Sequence, residues 1–257
     1  TEIAKLKEII DKLPPVQTCS TPNSTNFFGL SRMNIQFDNP DPFPINCLKF
    51  KNNSIHTIGL PKYGTFAVSC DSNGNGWTVI QRRLHGNVDF NTTWLNYMNG
   101  FGSVEGDFFI GLENLHHLTA YAPFELYIHL VDHNDQVYYA SYDEFSIANE
   151  AGEYEIKSLG EYRGNAGDAL RNQRGLKFST IDHQNDVDDC LKTLKGAWWY
   201  SSCDDSNLNG PNLNCNDIGK NNNIAYLQTN GCIFWKNGDT YLVLKQVQIM
   251  IKPKKIK

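Results

Sequence analysis

The sequence predicts an α+β fold built on a central, twisted antiparallel sheet with a few short helices. Two runs of residues, 124–132 and 136–147, have strand-like patterns and are separated only by "HND". A second pair of strand-like runs, 64–70 and 76–83, is joined by "DSNGNG", whose Asn-Gly steps favour a tight reversal. Hairpins with few and short helical patterns indicate antiparallel pairing, not a wound parallel sheet.

The sequence begins with an amphipathic segment. In "TEIAKLKEIIDKL" (1–13) the apolar residues recur at spacings of three and four, and Pro14 and Pro15 then end the helix. Two heptads do not hold a coiled coil alone, so we expect residues 1–13 to be the end of a coiled-coil stalk that forms a homo-oligomer. A short helix lying on the domain is the alternative. Residues 14–39 are predicted to be a linker.

The later elements follow from the same patterns. We expect a long strand at 241–253 and short helices at 92–100, 112–119 and 166–172. Residues 204–231 hold nine asparagines with little periodicity, which predicts a loop-rich surface lobe pinned by cysteines. The basic tail, 254–257, is predicted to be a solvated end.

Composition excludes some classes of function. The sequence has 257 residues, of which 40% are hydrophobic and 20% charged, which is typical of a globular protein. Its net charge is −5 with scattered Lys and Arg, so we expect no nucleic-acid partner, since phosphate binding needs a concentrated basic face. No apolar run approaches the roughly 18–20 residues that cross a bilayer, so we expect no membrane span.

Seven cysteines occur, and none forms a C-x-x-C pair of the zinc or redox type. If the other six cysteines form the three pairs named below, Cys19 is left over beside the predicted stalk, where it suits an interchain disulfide between parallel subunits. A bridge that closes a short loop contributes about 3 kcal/mol in the chain-entropy model. Proximity in sequence favours the pairs Cys47–Cys70, Cys190–Cys203 and Cys215–Cys232.

Three N-x-S/T sequons stand at Asn23, Asn52 and Asn91, and we predict them as glycosylation sites. Together with the cysteines they favour a secreted, extracellular protein. A cytosolic protein with idle thiols is the alternative.

The stretch "DHQNDVDDC" (182–190) places four aspartates before a cysteine. It fails the EF-hand template, because its third position is Gln184 and its twelfth is Thr193. Closely spaced carboxylates repel one another, so the cluster favours either a calcium ion or open solvent. Both alternatives stay open from spacing alone.

No catalytic motif is present. The sequence has no G-x-S-x-G, no H-E-x-x-H and no phosphate-binding loop, and "GFGSVEG" (100–106) misses the dinucleotide pattern by one residue. Paired carboxylates of a glycosidase would meet only in space, and nothing in the sequence marks them out. We therefore predict that the protein is not an enzyme.

Nine segments of the sequence together show a resemblance to a known family. They are "GWTVIQRR" (76–83), "VDF" (88–90), "GFG" (100–102), "GDFFIGLENLHHLT" (106–119), "YASYDEFSI" (139–147), "GNAGDAL" (164–170), "FSTIDHQND" (178–186), "GAWWYSSC" (196–203) and "SNLNG" (206–210). In this order they resemble a fibrinogen C-terminal (fibrinogen-related) domain over about residues 40–253. Ficolins, tachylectins, angiopoietin-like ligands and invertebrate fibrinogen-related proteins have such domains.

The resemblance implies a non-catalytic extracellular recognition domain in three lobes, attached to an oligomerising stalk. In many members a calcium ion lies beside a pocket that binds acetylated sugars or peptide ends. The corresponding pocket here would surround Cys203 of the Cys190–Cys203 pair, after a cis Ser202–Cys203 bond. The N–H groups of Cys203 and Asp204 would face a carbonyl oxygen of the ligand, and Tyr226 would be an aromatic wall.

The calcium loop departs from the family pattern. Gln184 stands where a carboxylate ligand is expected, Asp186 is kept, and Cys190 follows about two residues early. The resemblance therefore implies calcium on Asp186, with Asp188 or Asp189 compensating for the lost acid.

The pocket departs from the pattern too. Asp204 replaces a common histidine, and we expect its charge to repel anionic ligands and favour neutral or cationic ones. Leu194 replaces an aromatic residue. We expect a lectin-like protein that binds acetylated glycans or microbial surface carbohydrate. The alternative is a signalling or adhesion ligand that binds a receptor ectodomain and has lost the sugar pocket.

Overall fold

The computed structural model of the protein describes residues 43–71, 76–185, 190–211, 213–215 and 223–254. The predicted stalk and linker lie outside the described residues. So do several of the predicted site residues: Cys19, Asn23, Asp186, Asp188 and Asp189.

Twelve strands and four α-helices are formed by the described residues. The strands are β1 (Ile55–Leu60), β2 (Gly64–Asp71), β3 (Trp77–Arg83), β4 (Phe101–Gly102), β5 (Phe108–Phe109), β6 (Phe124–Asp132), β7 (Val137–Ile147), β8 (Ile156–Leu159), β9 (Tyr162–Gly164), β10 (Ser206–Asn207), β11 (Phe234–Asn237) and β12 (Thr240–Pro253). The helices are α1 (Trp94–Asn99), α2 (Leu112–Tyr121), α3 (Cys190–Leu194) and α4 (Ile224–Thr229), with short 3₁₀ helices at Cys47–Lys49, Glu150–Gly152 and Arg171–Gln173.

The strands form one antiparallel sheet whose main path runs β1-β2-β3-β12-β6-β7-β8. The long strand β12 is its centre, because residues 247–251 pair with β3 and residues 244–253 pair with β6. The first residues of β12 instead pair with β11, which in turn pairs with β10. We call the described residues of 178–237 the ligand lobe. Strand β12 therefore connects the central sheet to this lobe.

Consecutive residues of β3 and β12 are buried, so both faces of the sheet are covered at its centre, whereas β6 buries mainly one face. Along β6 the residues Phe124, Leu126, Ile128 and Leu130 are at most 2% exposed, and their neighbours in sequence are mostly half-buried. This alternation follows from the two-residue period of a strand and confirms the predicted pattern. Helix α2 buries its apolar side chains in the same core. The predicted α+β class is confirmed.

The helix predicted at 92–100 is confirmed as α1, with the shorter bounds Trp94–Asn99. The Thr93 hydroxyl accepts a hydrogen bond from the Asn96 amide at 3.4 Å, which caps the first turn. Gly100 follows the helix with φ = +87°, a backbone conformation that favours glycine.

The predicted helix at 166–172 is wrong. Gly167 has φ = +87°. Its amide donates to the Tyr162 hydroxyl at 2.9 Å, and its carbonyl accepts a hydrogen bond from the Trp235 indole at 3.0 Å. Asp168 accepts the Tyr142 hydroxyl at 2.7 Å. These contacts, two of them between residues far apart in sequence, hold the segment as a loop, and only Arg171–Gln173 forms a 3₁₀ turn.

The predicted solvated tail is partly wrong as well. Lys254 donates its amide to the Pro123 carbonyl at 2.8 Å and its ammonium to the Asp143 carboxylate at 3.1 Å. The start of the tail is therefore attached to the sheet, and residues 255–257 lie outside the described residues.

Candidate functional site

Three disulfides are formed by the described residues, and they are the three that proximity predicted. Cys47–Cys70 joins the first 3₁₀ helix to β2, outside the ligand lobe. Cys190–Cys203 and Cys215–Cys232 close loops with sequence separations of 13 and 17 within the lobe. The lobe is thus braced twice where regular strands are scarce.

Side chains of the central sheet position the ligand lobe. Gln81 of β3 donates its amide to the Leu208 carbonyl at 3.0 Å. The fully buried Arg83 donates to the Gly210 carbonyl at 2.8 Å, and its guanidinium lies 3.9 Å from the centre of the Phe90 ring. Burial lowers the pKa of Arg83 to about 10. These bonds attach residues 208–210 of the lobe to the sheet.

Inside the lobe, where the β10–β11 ladder pairs only two residues of each strand, buried polar side chains make further bonds to the backbone. Asn207 is fully buried, and its amide donates to the carbonyls of Leu194 and Cys232, both at 3.1 Å. Its carbonyl oxygen accepts the Tyr200 hydroxyl at 3.0 Å. Asn209, also fully buried, donates to the Ala197 carbonyl at 2.8 Å. The start of the 204–231 segment is therefore core, and the prediction of a surface lobe fails for these residues.

Cys203 lies at a partly buried position beside α4. The Gln228 side chain of that helix donates to the Cys203 carbonyl at 2.9 Å. Tyr226 belongs to the same helix and, like Cys203, is partly buried and packs against the core. The structure therefore brings the predicted cysteine and the helix of the predicted aromatic wall together.

The peptide bond between Ser202 and Cys203 is trans, since the described residues contain no cis bond. The cis bond implied by the family resemblance is absent. A non-proline cis bond costs about 3–4 kcal/mol, and the trans form is the one a polypeptide adopts unless its surroundings demand otherwise. The hydroxyls of Ser201 and Ser202 are both engaged here, with Asp205 at 2.7 Å and with Asp204.

Asp204 does not stand alone. The Lys236 ammonium of β11 donates to its carboxylate at 2.7 Å, and the side chains of Asp204 and Lys236 are 38% and 34% exposed. Bonds from Lys236 and Ser202 lower the pKa of Asp204, and the same ion pair raises the pKa of Lys236. The expected repulsion of anionic ligands is therefore offset by a cation. Lys236 was missed because strand β11 was not predicted.

Leu194 is fully buried and belongs to the core, so it offers no wall to a ligand. Asp205 is 6% exposed and lies 3.9 Å from Lys236. The accessible surface around the cysteine is thus polar and charged, with Tyr226 as its partly exposed aromatic residue. We call Ser202, Cys203, Asp204, Tyr226 and Lys236 the Cys203 surface.

In the described part of the acidic loop, residues 182–185, the side chains of Asp182 and Asn185 already make hydrogen bonds within the protein. One Asp182 oxygen accepts the Trp94 amide at 2.7 Å and the Thr180 hydroxyl at 2.8 Å. Asn185 donates to the Phe178 carbonyl at 2.8 Å, and Gln184 is exposed. Among the described residues no group of three or more His, Cys, Asp or Glu side chains could hold a metal ion. The fit of calcium therefore rests on residues 186–189.

Two predicted glycosylation sites are described. Asn52 is exposed and accepts a hydrogen bond from the His56 ring at 3.0 Å, while Asn91 is half-buried just before α1. In the part of the sequence that the structure describes, no helix is both long and apolar enough to cross a membrane.

Comparison with known proteins agrees with this architecture. Residues 50–254 match the family model of the C-terminal globular domain of the fibrinogen beta and gamma chains. The protein is 38% identical over 203 residues to angiopoietin-related protein 7 of Homo sapiens, a match that covers 78% of this sequence and 56% of that protein. It is 43% identical over 147 residues to human tenascin-R, covering 56% of this sequence and 11% of that protein. The sequence thus spans only part of these relatives.

Solved structures show the same fold. The fibrinogen-like globe domain of human ANGPTL2 matches with a TM-score of 0.72 and 32% identity, over 82% of this protein and all of that domain. A lamprey fibrin D-dimer in complex with the peptide Gly-His-Arg-Pro-amide matches with a TM-score of 0.72 and 26% identity, over 100% of this protein and 84% of that structure. The protein belongs to the family defined by the C-terminal globular domain of the fibrinogen beta and gamma chains.

Proposed function

We propose that the protein is a non-catalytic recognition protein that acts outside the cell and binds its ligand at the Cys203 surface. The family and the three disulfides support an extracellular setting, because such bonds persist under oxidising conditions. The sequons at Asn23, Asn52 and Asn91 are consistent with it.

The ligand that we favour is a segment of a protein, such as part of a receptor ectodomain. The Asp204–Lys236 ion pair supports this proposal, since both charges are about one-third exposed at the edge of the surface. A peptide with charged groups can exchange this pair for bonds of its own, whereas a neutral acetyl group gains little from it. The similar lamprey fibrin structure holds a cationic peptide.

An acetylated glycan is the second candidate. Tyr226, partly buried on the helix that contacts Cys203, could pack against the methyl group of an acetyl moiety. The charged pair and the buried Leu194 are the features that weigh against it.

One titration separates the two candidates. Gly-His-Arg-Pro-amide and N-acetylglucosamine are each titrated into the protein by calorimetry, and into the variants Asp204→Asn and Asp239→Asn. Asp239 is exposed in the β11–β12 turn and is the matched control. We expect saturable peptide binding that weakens about tenfold in Asp204→Asn only. Sugar binding without peptide binding would favour the glycan, and binding of neither probe would overturn the site.

Calcium on Asp186 and Asp188 stays a prediction. The described residues 182–185 offer an amide at Gln184 and the engaged carboxylate of Asp182, so the acids after them would hold the ion. An ion that binds only the folded state must raise the melting temperature. We expect a higher midpoint in millimolar calcium that Asp186→Asn abolishes; equal midpoints with and without calcium would contradict the site.

The predicted stalk at 1–13 and Cys19, the cysteine outside the three disulfide pairs, are the basis for proposing a homo-oligomer. Light scattering on the protein with residues 1–257 should give a multimer, and Cys19→Ser should remove a covalent dimer from a non-reducing gel. A monomer both in light scattering and on the non-reducing gel would overturn the proposal.

A further inference from the structure

A cavity of about 520 Å³ lies away from the ligand lobe. It is enclosed by the β1–β2 hairpin, the end of α1, the β4–β5 hairpin and the first turn of α2. None of the residues that line it belongs to the Cys203 surface or to the acidic loop. Its volume falls within the range of about 300–1,000 Å³ that small-molecule sites occupy.

The walls of the cavity are mainly apolar and aromatic. They include Phe66, Met98, Phe101, Val104 and Phe108. These side chains come from elements that meet only in the folded protein. The Phe66, Phe101 and Val104 side chains are partly buried at the edge of the core, not inside it. A ligand with an apolar body would therefore remove apolar surface from water here.

One carboxylate lines this apolar space. Glu113, in the first turn of α2, is the single acidic or basic residue among Asp, Glu, Lys, Arg and His in the described lining. One of its oxygens accepts the Tyr154 hydroxyl at 2.5 Å, and the other lies 3.5 Å from the His117 ring nitrogen. The Glu113 side chain is 21% exposed. The described lining of the cavity thus contains no lysine or arginine that could pair with the Glu113 carboxylate.

The first turn of the helix also stabilises the Glu113 charge, because the helix dipole is positive at that end. An anionic ligand would nevertheless meet the carboxylate at short range in a partly desolvated space. A cation would gain from the carboxylate and from the electron-rich faces of the surrounding rings, Tyr63 among them. The negative charge of Glu113 therefore favours a cationic ligand over a neutral or anionic one.

We propose that this cavity binds a small organic cation, an ammonium or guanidinium group attached to an apolar body, with Glu113 as its counter-ion. The site is independent of the proposed recognition site, because the two share no residue. The protein could therefore hold a small cationic molecule while the Cys203 surface is occupied.

Methionine methyl groups report on the site. The sequence has three methionines, and Met98 lines the cavity while Met250 lies in β12 and outside it. With carbon-13 labelled methyl groups, phenethylammonium is titrated beside its neutral analogue phenethyl alcohol and the anion 3-phenylpropionate. We expect a saturable shift of the Met98 signal, an unchanged Met250 signal, and binding about tenfold weaker for the alcohol. Equal affinity for the three probes, or no shift at Met98, overturns the proposal.

A variant isolates the carboxylate. Glu113→Gln keeps an oxygen that can accept the Tyr154 hydroxyl and removes the charge. We expect phenethylammonium to bind this variant about tenfold more weakly and the alcohol to bind it as before. Glu105→Gln, an exposed change next to the lining residue Val104 but outside the lining, is the matched control and should leave both affinities unchanged. If Glu113→Gln unfolds, the charged and neutral probes on the unaltered protein still decide the question.

Discussion

The central sheet and the ligand lobe are stabilised in different ways. In the sheet, regular ladders satisfy the backbone, and most buried side chains, such as Ile128 and Leu130, are apolar, while β3 also buries Gln81 and Arg83. In the lobe, strands are short, and the buried amides of Asn207 and Asn209 satisfy carbonyls that no ladder reaches. Two disulfides brace the lobe and one lies outside it.

This difference shows what a recognition lobe requires. An irregular backbone can present a varied surface only if its buried polar groups find partners one by one. Each such partner is a single residue with no substitute, whereas a ladder bond is supported by its neighbours. The lobe should therefore be the more sensitive to single polar substitutions, and the sheet to the loss of apolar volume.

The largest effect is expected at Asn207. Asn207→Ala leaves the carbonyls of Leu194 and Cys232 and the Tyr200 hydroxyl without their partner. At about 1–3 kcal/mol for each buried unsatisfied group, we expect the free energy of unfolding to fall by about 4 kcal/mol. Urea denaturation measures this. Asn134→Ala, exposed in the β6–β7 turn, should change it by less than about 0.5 kcal/mol. A loss below about 1 kcal/mol at Asn207 would mean that water replaces the amide.

In the sheet the corresponding test removes volume. Ile128 is 1% exposed at the centre of β6, so Ile128→Ala should cost about 3.5 kcal/mol through lost burial and a cavity. The same substitution at Ile181, which is 52% exposed, should cost less than about 0.5 kcal/mol. Equal losses at the two isoleucines, measured by urea denaturation, would contradict the placement of the core.

Sequence predicted the sheet well because its signal is local. The alternation along 124–132 and the apolar residues of 241–253 mark strands whatever the rest of the sequence does. Strand β1 was missed, since its burial changes from mostly exposed to wholly buried halfway along and lacks that alternation. The helix at 166–172 was mispredicted, since long-range bonds from Trp235 to Gly167 and from Tyr142 to Asp168 overrode a local pattern.

The ligand lobe was predictable only in part. Cysteine spacing predicted its disulfides, the motif "GAWWYSSC" pointed to Cys203, and the family resemblance suggested Tyr226 as a wall. The partners Lys236 and Gln228 are 33 and 25 residues from Cys203 in sequence, and they meet the site only in space. The asparagine-rich composition suggested exposure, yet Asn207 and Asn209 are buried because their amides serve as hydrogen-bonding groups for the backbone. Composition does not distinguish the two uses.

A smaller effect is expected from removing one disulfide of the lobe. The Cys190–Cys203 loop has a sequence separation of 13, and the double change to alanine should cost about 3 kcal/mol in the chain-entropy model. Because the sheet has its own ladders, amide exchange should speed up in the lobe and stay slow in β6 and β12. Faster exchange spread evenly over both regions would show that the lobe and the sheet unfold as one unit.

The smallest effect is expected at the Asp204–Lys236 ion pair. Both side chains are about one-third exposed, so solvent screens the pair, and Asp204→Asn should cost less than about 1 kcal/mol near pH 7. The lowered pKa of Asp204 gives stability that is present above its ordinary value of 3.8 and is lost as the pH falls through the folded value. The raised pKa of Lys236 gives stability that is present below 10.5 and is lost as the pH rises above it.

The difference in unfolding free energy between the protein and Asp204→Asn should therefore be constant between about pH 5 and 9 and shrink towards zero at both extremes. Lys236→Met should show the same window, and the double variant should lose no more than either single one, because each change already breaks the pair. Asp239→Asn, an exposed change in the neighbouring turn, is measured in parallel as the control. A difference that shrinks at low pH but not at high pH would mean that Asp204 acts through its bond to Ser202 and that the charge at the Cys203 surface is not compensated by Lys236.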